Sequence, residues 1–390
     1  DCTPRDSKTR KMSGMRRSQI HHTVVLFCCL AAAHAQDQKK PALKETDAAV
    51  MKELAQSWLP EGWVKGEDPC DWPGVVCTTV TESGVLSKSV ATVVKSISLR
   101  GVCEHAAAIQ TKDHWTCDLP SSLGKLSGLE FLYLNGNGFQ GTIPSQLGNI
   151  KTLKALYLNS NEWVLISNIR VPTTARSYVL FFAFCAISML TRHADCCRLW
   201  GSIPDSLGKL SALEKLHLQG NKLTGDIPAS FGSLAALHEL QLQNNELQGS
   251  IPAELGQLKS LVQLDLSSND LEGRIPPSLS ALADLHALLL QDNMLQGGIP
   301  EDLFGASMRQ LSRVDLSSNL LTGHVPLGVC RLDHLALFSV EGNSEMEGER
   351  LLCDSRHGRH ADEENRAHCQ QQMRSVLLCG RLHGASAAEL

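Results

Sequence analysis

"LHELQLQNNELQGSIPAELGQLKS", residues 237–260, holds the architecture of the chain in one phrase. Its first part, Leu237-x-x-Leu240-x-Leu242, alternates leucine with polar residues, the period of a short strand with one apolar face. Asn245 stands where the chain must leave that strand, and its amide can satisfy backbone groups of adjacent turns. Gly249 permits a backbone conformation that other residues resist, and Ile251-Pro252 returns the chain along the opposite side. The phrase begins at Leu129, Leu153, Leu213, Leu237, Leu261, Leu285, Leu311 and Leu335, the last copy degrading to Leu335, Phe338, Val340 and Asn343. Successive starts lie 24, 60, 24, 24, 24, 26 and 24 residues apart.

A single unit cannot bury its own apolar face, whereas stacked copies bury it for one another. A unit of this length and pattern predicts a right-handed leucine-rich repeat solenoid. It is an α/β repeat with short parallel strands on the concave face and a 3-10 or irregular convex side. Asn137, Asn161, Asn221, Asn245, Asn269, Asn293, Asn319 and Asn343 are then expected to form a buried structural ladder.

After each asparagine the full copies continue x-L-x-G-x-I-P-x-x-L-G-x-L, as in "NKLTGDIPASFGSL". This consensus resembles the plant-type leucine-rich repeats of receptor-like kinases, receptor-like proteins and polygalacturonase-inhibitor-like proteins. The start of the chain fits as well. Thr46–Leu59, "TDAAVMKELAQSWL", reads as an amphipathic helix, and "DPCDWPGVVC" follows with Cys70, Trp72, Gly74 and Cys77. The resemblance implies that residues 36–90 form a helical N-terminal cap stapled by a Cys70–Cys77 disulfide. Such a cap covers an apolar end and an unpaired sheet edge that the first repeat would otherwise expose. Val94-x-x-Ile97-x-Leu99 looks like a first strand, but Leu129 follows 35 residues later instead of 24. Cys103 and Cys117 bracket the excess, either as a disulfide closing a loop or as two unpaired buried thiols.

Residues 15–35 have the layout of a secretory signal peptide: Met15-Arg16-Arg17, an apolar run from Thr23 to Ala33, and the small-x-small site Ala33-His34-Ala35. Residues 1–14 precede a plausible start at Met15 and read as an upstream extension. Fourteen cysteines point to an oxidising compartment and a secreted or cell-surface chain. The solenoid is assigned to 91–344 and a Cys/His-containing flexible tail to 345–390. In the tail, Cys353, His357, His360, His368 and Cys369 match no standard zinc spacing and read as solvated chain with disulfides.

The 60-residue interval contains a foreign stretch. Removing 163–198 joins Asn161-Glu162 to Leu199-Trp200-Gly201-Ser202-Ile203-Pro204 and restores a 24-residue repeat in phase. Three readings compete. A transmembrane helix at Tyr178–Leu190 has 13 apolar residues, short of the roughly 20 that a bilayer needs. It would also put the two halves of one repeat on opposite sides of a membrane. A loop inserted into the array is the second reading, and a retained intron is the third. The third accounts best for the restored phase.

No Gly-rich phosphate loop, kinase motif, G-x-S-x-G or H-E-x-x-H is present, so neither an enzyme nor a cofactor is expected. Net charge is −5 without a like-sign block, which gives no footprint for nucleic acid. Function falls on the concave face, where the residues between the leucines form columns. The ligand-binding candidates are Phe131, Tyr133, Asn135, Tyr157, Asn159, Lys215, His217, Gln219, Glu239, Gln241, Gln263, Asp265, Arg313 and Asp315. Gln243, Ser267, Gln291 and Ser317 continue the third column. Aromatics at one end and amides in the middle suit a protein, peptide or polysaccharide ligand. A recognition or signalling protein acting with a membrane co-receptor is the first expectation. The family resemblance keeps two others open: an inhibitor of a cell-wall-degrading enzyme, and the truncated ectodomain of a receptor-like kinase.

Overall fold

The structure is a computed structural model, and it describes residues 41–58, 63, 68–83, 88–99, 102, 117–161 and 198–346. The segments read as an upstream extension and a signal peptide, residues 1–14 and 15–35, together with Cys103, residues 163–197 and the tail beyond 346, lie outside the described residues. The chain divides into two units, Asp1–Ala42 with Thr81–Ala91, and Leu43–Val80 with Thr92–Leu390. Of the first, the described part is Pro41–Ala42 and the ends of two strands. The second holds the cap and the repeats.

The cap opens with α1, Glu45–Trp58. Glu45 and Asp47 in its first turn complement the positive end of the helix. Asp47, Val50, Met51, Leu54 and Trp58, spaced three and four apart, form its buried face. Asp47 is a buried carboxylate that anchors the helix. Its Oδ2 accepts the Val94 N–H at 2.8 Å, tying α1 to the first strand of the repeats. Burial pushes its carboxyl above the usual carboxylate range, against that hydrogen bond and one from Thr46. Trp58 packs on Phe139 with ring centroids 5.2 Å apart and donates its indole N–H to the Asp118 carbonyl at 3.2 Å. Cys70 and Cys77 form a disulfide, as the resemblance implies. Cys117 is also disulfide-bonded, while Cys103 lies outside the described residues.

Seventeen strands follow among the described residues. They are β1 Val75–Ser83, β2 Lys88–Ser98, β3 Phe131–Tyr133, β4 Ala155–Tyr157, β5 Trp200–Ser202, β6 Lys215–His217, β7 Lys222–Asp226 and β8 Glu239–Gln241. Then come β9 Glu246–Gln248, β10 Gln263–Asp265, β11 Glu272–Gly273, β12 Ala287–Leu289, β13 Met294–Gly298, β14 Arg313–Asp315, β15 Leu320–Gly323, β16 Leu337–Ser339 and β17 Glu345–Met346. The main sheet runs β1-β2-β3-β4-β6-β8-β10-β12-β14-β16, parallel from β2 onward. Ile97, Leu132, Leu156, Leu216, Leu240, Leu264, Leu288, Val314 and Phe338 share one line of register and point into the core. β1 was not legible in the sequence; the β-branched run after Val75 pairs with β2 ahead of the first repeat.

The stack passes the 60-residue interval without a break. Tyr157 pairs with His217 in the register of every other repeat, and the Leu158 N–H reaches the His217 carbonyl at 2.9 Å. Leu199 is fully buried, and its bridge to Gly141 continues the repeat.

The convex side holds 3-10 turns at Ser121–Lys125, Ser145–Asn149, Asp205–Lys209, Ala229–Ser233, Ala253–Gln257, Pro277–Ala281 and Leu327–Arg331. Lateral to the main sheet run two further parallel sheets that the repeat pattern does not announce, β5-β7-β9 and β11-β13-β15-β17. They form just after each asparagine, where one buried leucine between two polar residues is too short an alternation to read as a strand.

The asparagines form a ladder. Asn269 accepts the Leu247 N–H on Oδ1 at 3.1 Å and donates Nδ2 to the carbonyls of Leu242 at 3.1 Å and Leu266 at 3.0 Å. Asn245, Asn293, Asn319 and Asn343 repeat this pattern, and Asn137, Asn161 and Asn221 are also buried and hydrogen-bonded to backbone. Each side chain thus joins two consecutive turns.

Candidate ligand-binding face

Parallel register turns the outward residues of the main sheet into columns about 4.8 Å apart per strand. One column runs Phe131, Ala155, Lys215, Glu239, Gln263, Ala287, Arg313; the next runs Tyr133, Tyr157, His217, Gln241, Asp265, Leu289, Asp315. At the N-terminal end the aromatics touch. Phe131 and Tyr133 lie 6.1 Å apart at 11°, Tyr133 and Tyr157 4.9 Å apart at 59°, and Tyr157 and His217 4.1 Å apart at 47°. The run therefore crosses the insertion point: Tyr157 and His217, 60 residues apart in sequence, are ring neighbours.

The aromatic run ends in a charge network. His217 Nε2 lies 2.9 Å from Glu239 Oε2, and Lys215 Nζ lies 2.6 Å from Glu239 Oε1. Burial raises the Glu239 carboxyl, but the hydrogen bonds from Lys215 and His217 outweigh it and hold the group below its usual range. Burial lowers the His217 imidazole, with Glu239 opposing. Burial raises the Tyr157 phenol, and the Glu239 hydrogen bond raises Lys215.

This arrangement makes the His217 titration a probe of the network. Replacing Glu239 by Gln removes the group that supports the imidazolium, so the His217 titration in an NMR pH series should move further down than in the wild type. Because the folded state holds His217 below its unfolded value, the stability this brings is present at neutral pH. It is lost as pH falls through the unfolded pKa toward the folded one, and Glu239→Gln should widen that window. An unchanged or raised titration would mean that Glu239 does not act on the ring.

The other predicted residues sit in the same columns but do not all face solvent. His217 is 8% exposed and Asp265 6%. Phe131, Tyr133, Asn135, Tyr157, Asn159, Lys215, Gln219, Glu239, Gln241, Gln263 and Asp315 are half-buried, and Arg313 is exposed. The Asp265 side chain folds back to accept the Ser267 hydroxyl at 2.7 Å and N–H at 3.2 Å; Asp315 holds Ser317 in the same way. Burial raises the Asp265 carboxyl despite these bonds. Leu289, buried, separates the two aspartates. Alternation in the sequence does not mark Glu130, which binds Lys154 at 3.0 Å and Lys95 at 3.4 Å and flanks the aromatic end. Its carboxyl is lowered chiefly by the Lys154 hydrogen bond. It sits just before the strand, outside the alternating positions.

The third column is rich in amides, and its oxygens are under-used. Asn159 Oδ1, Gln219 Oε1, Gln243 Oε1 and Gln291 Oε1 are buried and lack a hydrogen-bond partner among the described residues. Gln219 Nε2 does donate, to Gln241 Oε1 at 2.9 Å. Among the described residues, no cluster of three His, Cys, Asp or Glu residues is placed to hold a metal ion, and no helix is long and apolar enough to cross a membrane.

Family models described as "Leucine rich repeat" match residues 211–271 and 128–150. The chain is a leucine-rich repeat protein. Its G-x-I-P turn is of the plant type. A comparison with curated proteins returns no match. Among solved structures, this leucine-rich repeat protein is similar to the plant peptide hormone receptor RGFR1 in complex with RGF2: 28% identity over 60% of this chain and 39% of that one, TM-score 0.39. It is also similar to the Arabidopsis receptor kinase HAESA in complex with the peptide hormone IDA and the co-receptor SERK1, at 25% identity over 76% and 49%, TM-score 0.47. A plant ice-binding protein matches at 25% identity over 77% and 86%, TM-score 0.45. The chain spans less than half the length of the two receptor chains. With TM-scores below 0.5, these likenesses say nothing about what this chain binds.

Proposed function

We propose that this leucine-rich repeat protein is an extracellular recognition module that holds an extended peptide along its concave face, with a membrane co-receptor completing the complex. The observation that carries this reading is the column of unpartnered amide oxygens beside a contiguous aromatic run. Buried acceptors left unpaired are costly, and an extended peptide brings an N–H donor at regular intervals along its backbone. The aromatic rings supply the apolar anchors that dominate such interfaces. The cysteine content and the signal-like N-terminus support an extracellular setting.

Selection of a random linear peptide library against the full chain, followed by calorimetry of the winners on variants, tests this reading. Tyr157→Ala should weaken them by about 2 kcal/mol, roughly thirtyfold, and Gln243→Ala should weaken them less. Winners that bind Tyr157→Ala as tightly as the wild type, or a library that yields no concave-face binder, would overturn the reading.

A further inference from the structure

A second surface, away from the concave columns, has its own chemistry. An open groove of about 810 Å³ lies on the lateral side, where the mid-repeat segments of three successive turns, 118–121, 140–146 and 200–204, run side by side. Its size falls in the range of roughly 300–1,000 Å³ typical of small-ligand sites. Trp200 and Pro204 form one side, Pro144 contributes further apolar wall, and Asp118, Thr142 and Ser202 place polar groups along it. Gly141 lies on the floor: a Cβ there would sit 2.7 Å from Asp118 Oδ1, so only glycine leaves the carboxylate where it is.

Trp200 is the anomaly. It is 54% exposed, while the leucine and isoleucine on either side, Leu199 and Ile203, fill the core. The same position of the other repeats holds Gln140, Thr224, Gln248, Glu272, Gln296 and Thr322, all polar. The stack does not need an indole here.

We infer that this groove is a binding site for a neutral pyranose glycan, with Trp200 as the stacking platform and Asp118, Thr142 and Ser202 as partners for sugar hydroxyls. The flat, electron-rich face of an indole suits the polarised C–H face of a sugar ring. A peptide strand has nowhere to pair, because the backbone here is already used: the Trp200 N–H goes to the Gly141 carbonyl at 3.0 Å and the Lys222 N–H to the Leu199 carbonyl at 2.8 Å. Among the described residues no Lys, Arg or His lines the groove, and Asp118 does, which disfavours uronates and phosphates.

Calorimetry of the full chain with cellohexaose, xylohexaose, mannohexaose and hexagalacturonate tests this site. At least one neutral hexasaccharide should saturate. Trp200→Ala, an exposed position, should weaken it by about tenfold or more, and Tyr157→Ala should leave it unchanged, which separates this site from the concave one. The inference fails if no neutral hexasaccharide saturates, if hexagalacturonate binds best, or if Trp200→Ala has no effect. It also fails if sugar binds only after residues 163–198 are deleted, since the groove would then not be open in the full chain.

Discussion

Gly256→Ala should lower the stability of this protein by about 3 kcal/mol, because this buried glycine of a convex turn has no room for a side chain. The glycine has an ordinary turn conformation, and the reason for it is the next repeat. A Cβ on Gly256 would stand 2.3 Å from the Ser278 carbonyl oxygen and 2.6 Å from its carbonyl carbon. Backbone cannot swing aside as a side chain does, so the two turns must separate. Gly124, Gly148, Gly208 and Gly232 face the following turn in the same way, Gly148 meeting Ser206 across the insertion point. The chain contains its own control. Ser280 occupies the equivalent position in the next repeat, and the repeat after it is 26 residues long and carries plain turns over Glu301–Met308 where the others have a 3-10 helix. Ser280→Ala should therefore fall within about 0.5 kcal/mol of the wild type. Urea unfolding followed by far-UV circular dichroism measures both. Because stability in such arrays is a sum of repeat and neighbour terms, Gly256→Ala should also broaden the transition as the two halves uncouple. A wild-type midpoint for Gly256→Ala would mean that the turns slide apart at no cost.

Asn269→Ala should be at least as damaging, at about 3–5 kcal/mol. The substitution leaves the Leu247 N–H without its acceptor and removes a donor from the Leu242 and Leu266 carbonyls, all of them buried. Asn269→Asp separates donor from acceptor. It keeps Oδ1 but places a charge at a site 7% exposed, and it loses the Nδ2 donations to the Leu242, Leu266 and Ser267 carbonyls. A buried carboxyl of this kind has a raised pKa in the folded state, so acidification should restore part of the loss, because the protonated form regains a donor. Urea midpoints of the two variants across pH measure this. A loss below about 1 kcal/mol for Asn269→Ala would show that water replaces the amide without penalty.

These two positions mark the boundary between what was legible in the chain and what was not. Asn269 was readable as a ladder residue because its role recurs in every copy and is met by partners one repeat away. Gly249 was readable too, since its φ of +70° is a local demand. Gly256 was not, because the atom it avoids lies 22 residues on and comes close only when the turns stack.

The candidate face divides in the same way. Its columns were legible from alternation alone, as were the aromatic end and the amide middle. Burial within the columns was not. Asp265 looks like its neighbours in sequence but folds onto Ser267, and His217 is pinned between Tyr157 and Glu239. The unpartnered oxygens of the third column and the groove beside Trp200 appear only once neighbouring repeats are in place.

The order of residues along the chain was enough for the repeat, its phase across residues 163–198, the inward leucines, the asparagine ladder and the helical cap. All of these are written inside a window of about one repeat, and the same window is copied many times. Stacking alone decided the lateral sheets, the β1–β2 pairing, the tight approach of the convex turns, and the contact of Tyr157 with His217. Those depend on atoms of different repeats meeting at van der Waals distance, and a pattern that is periodic along the chain does not specify distances between its copies.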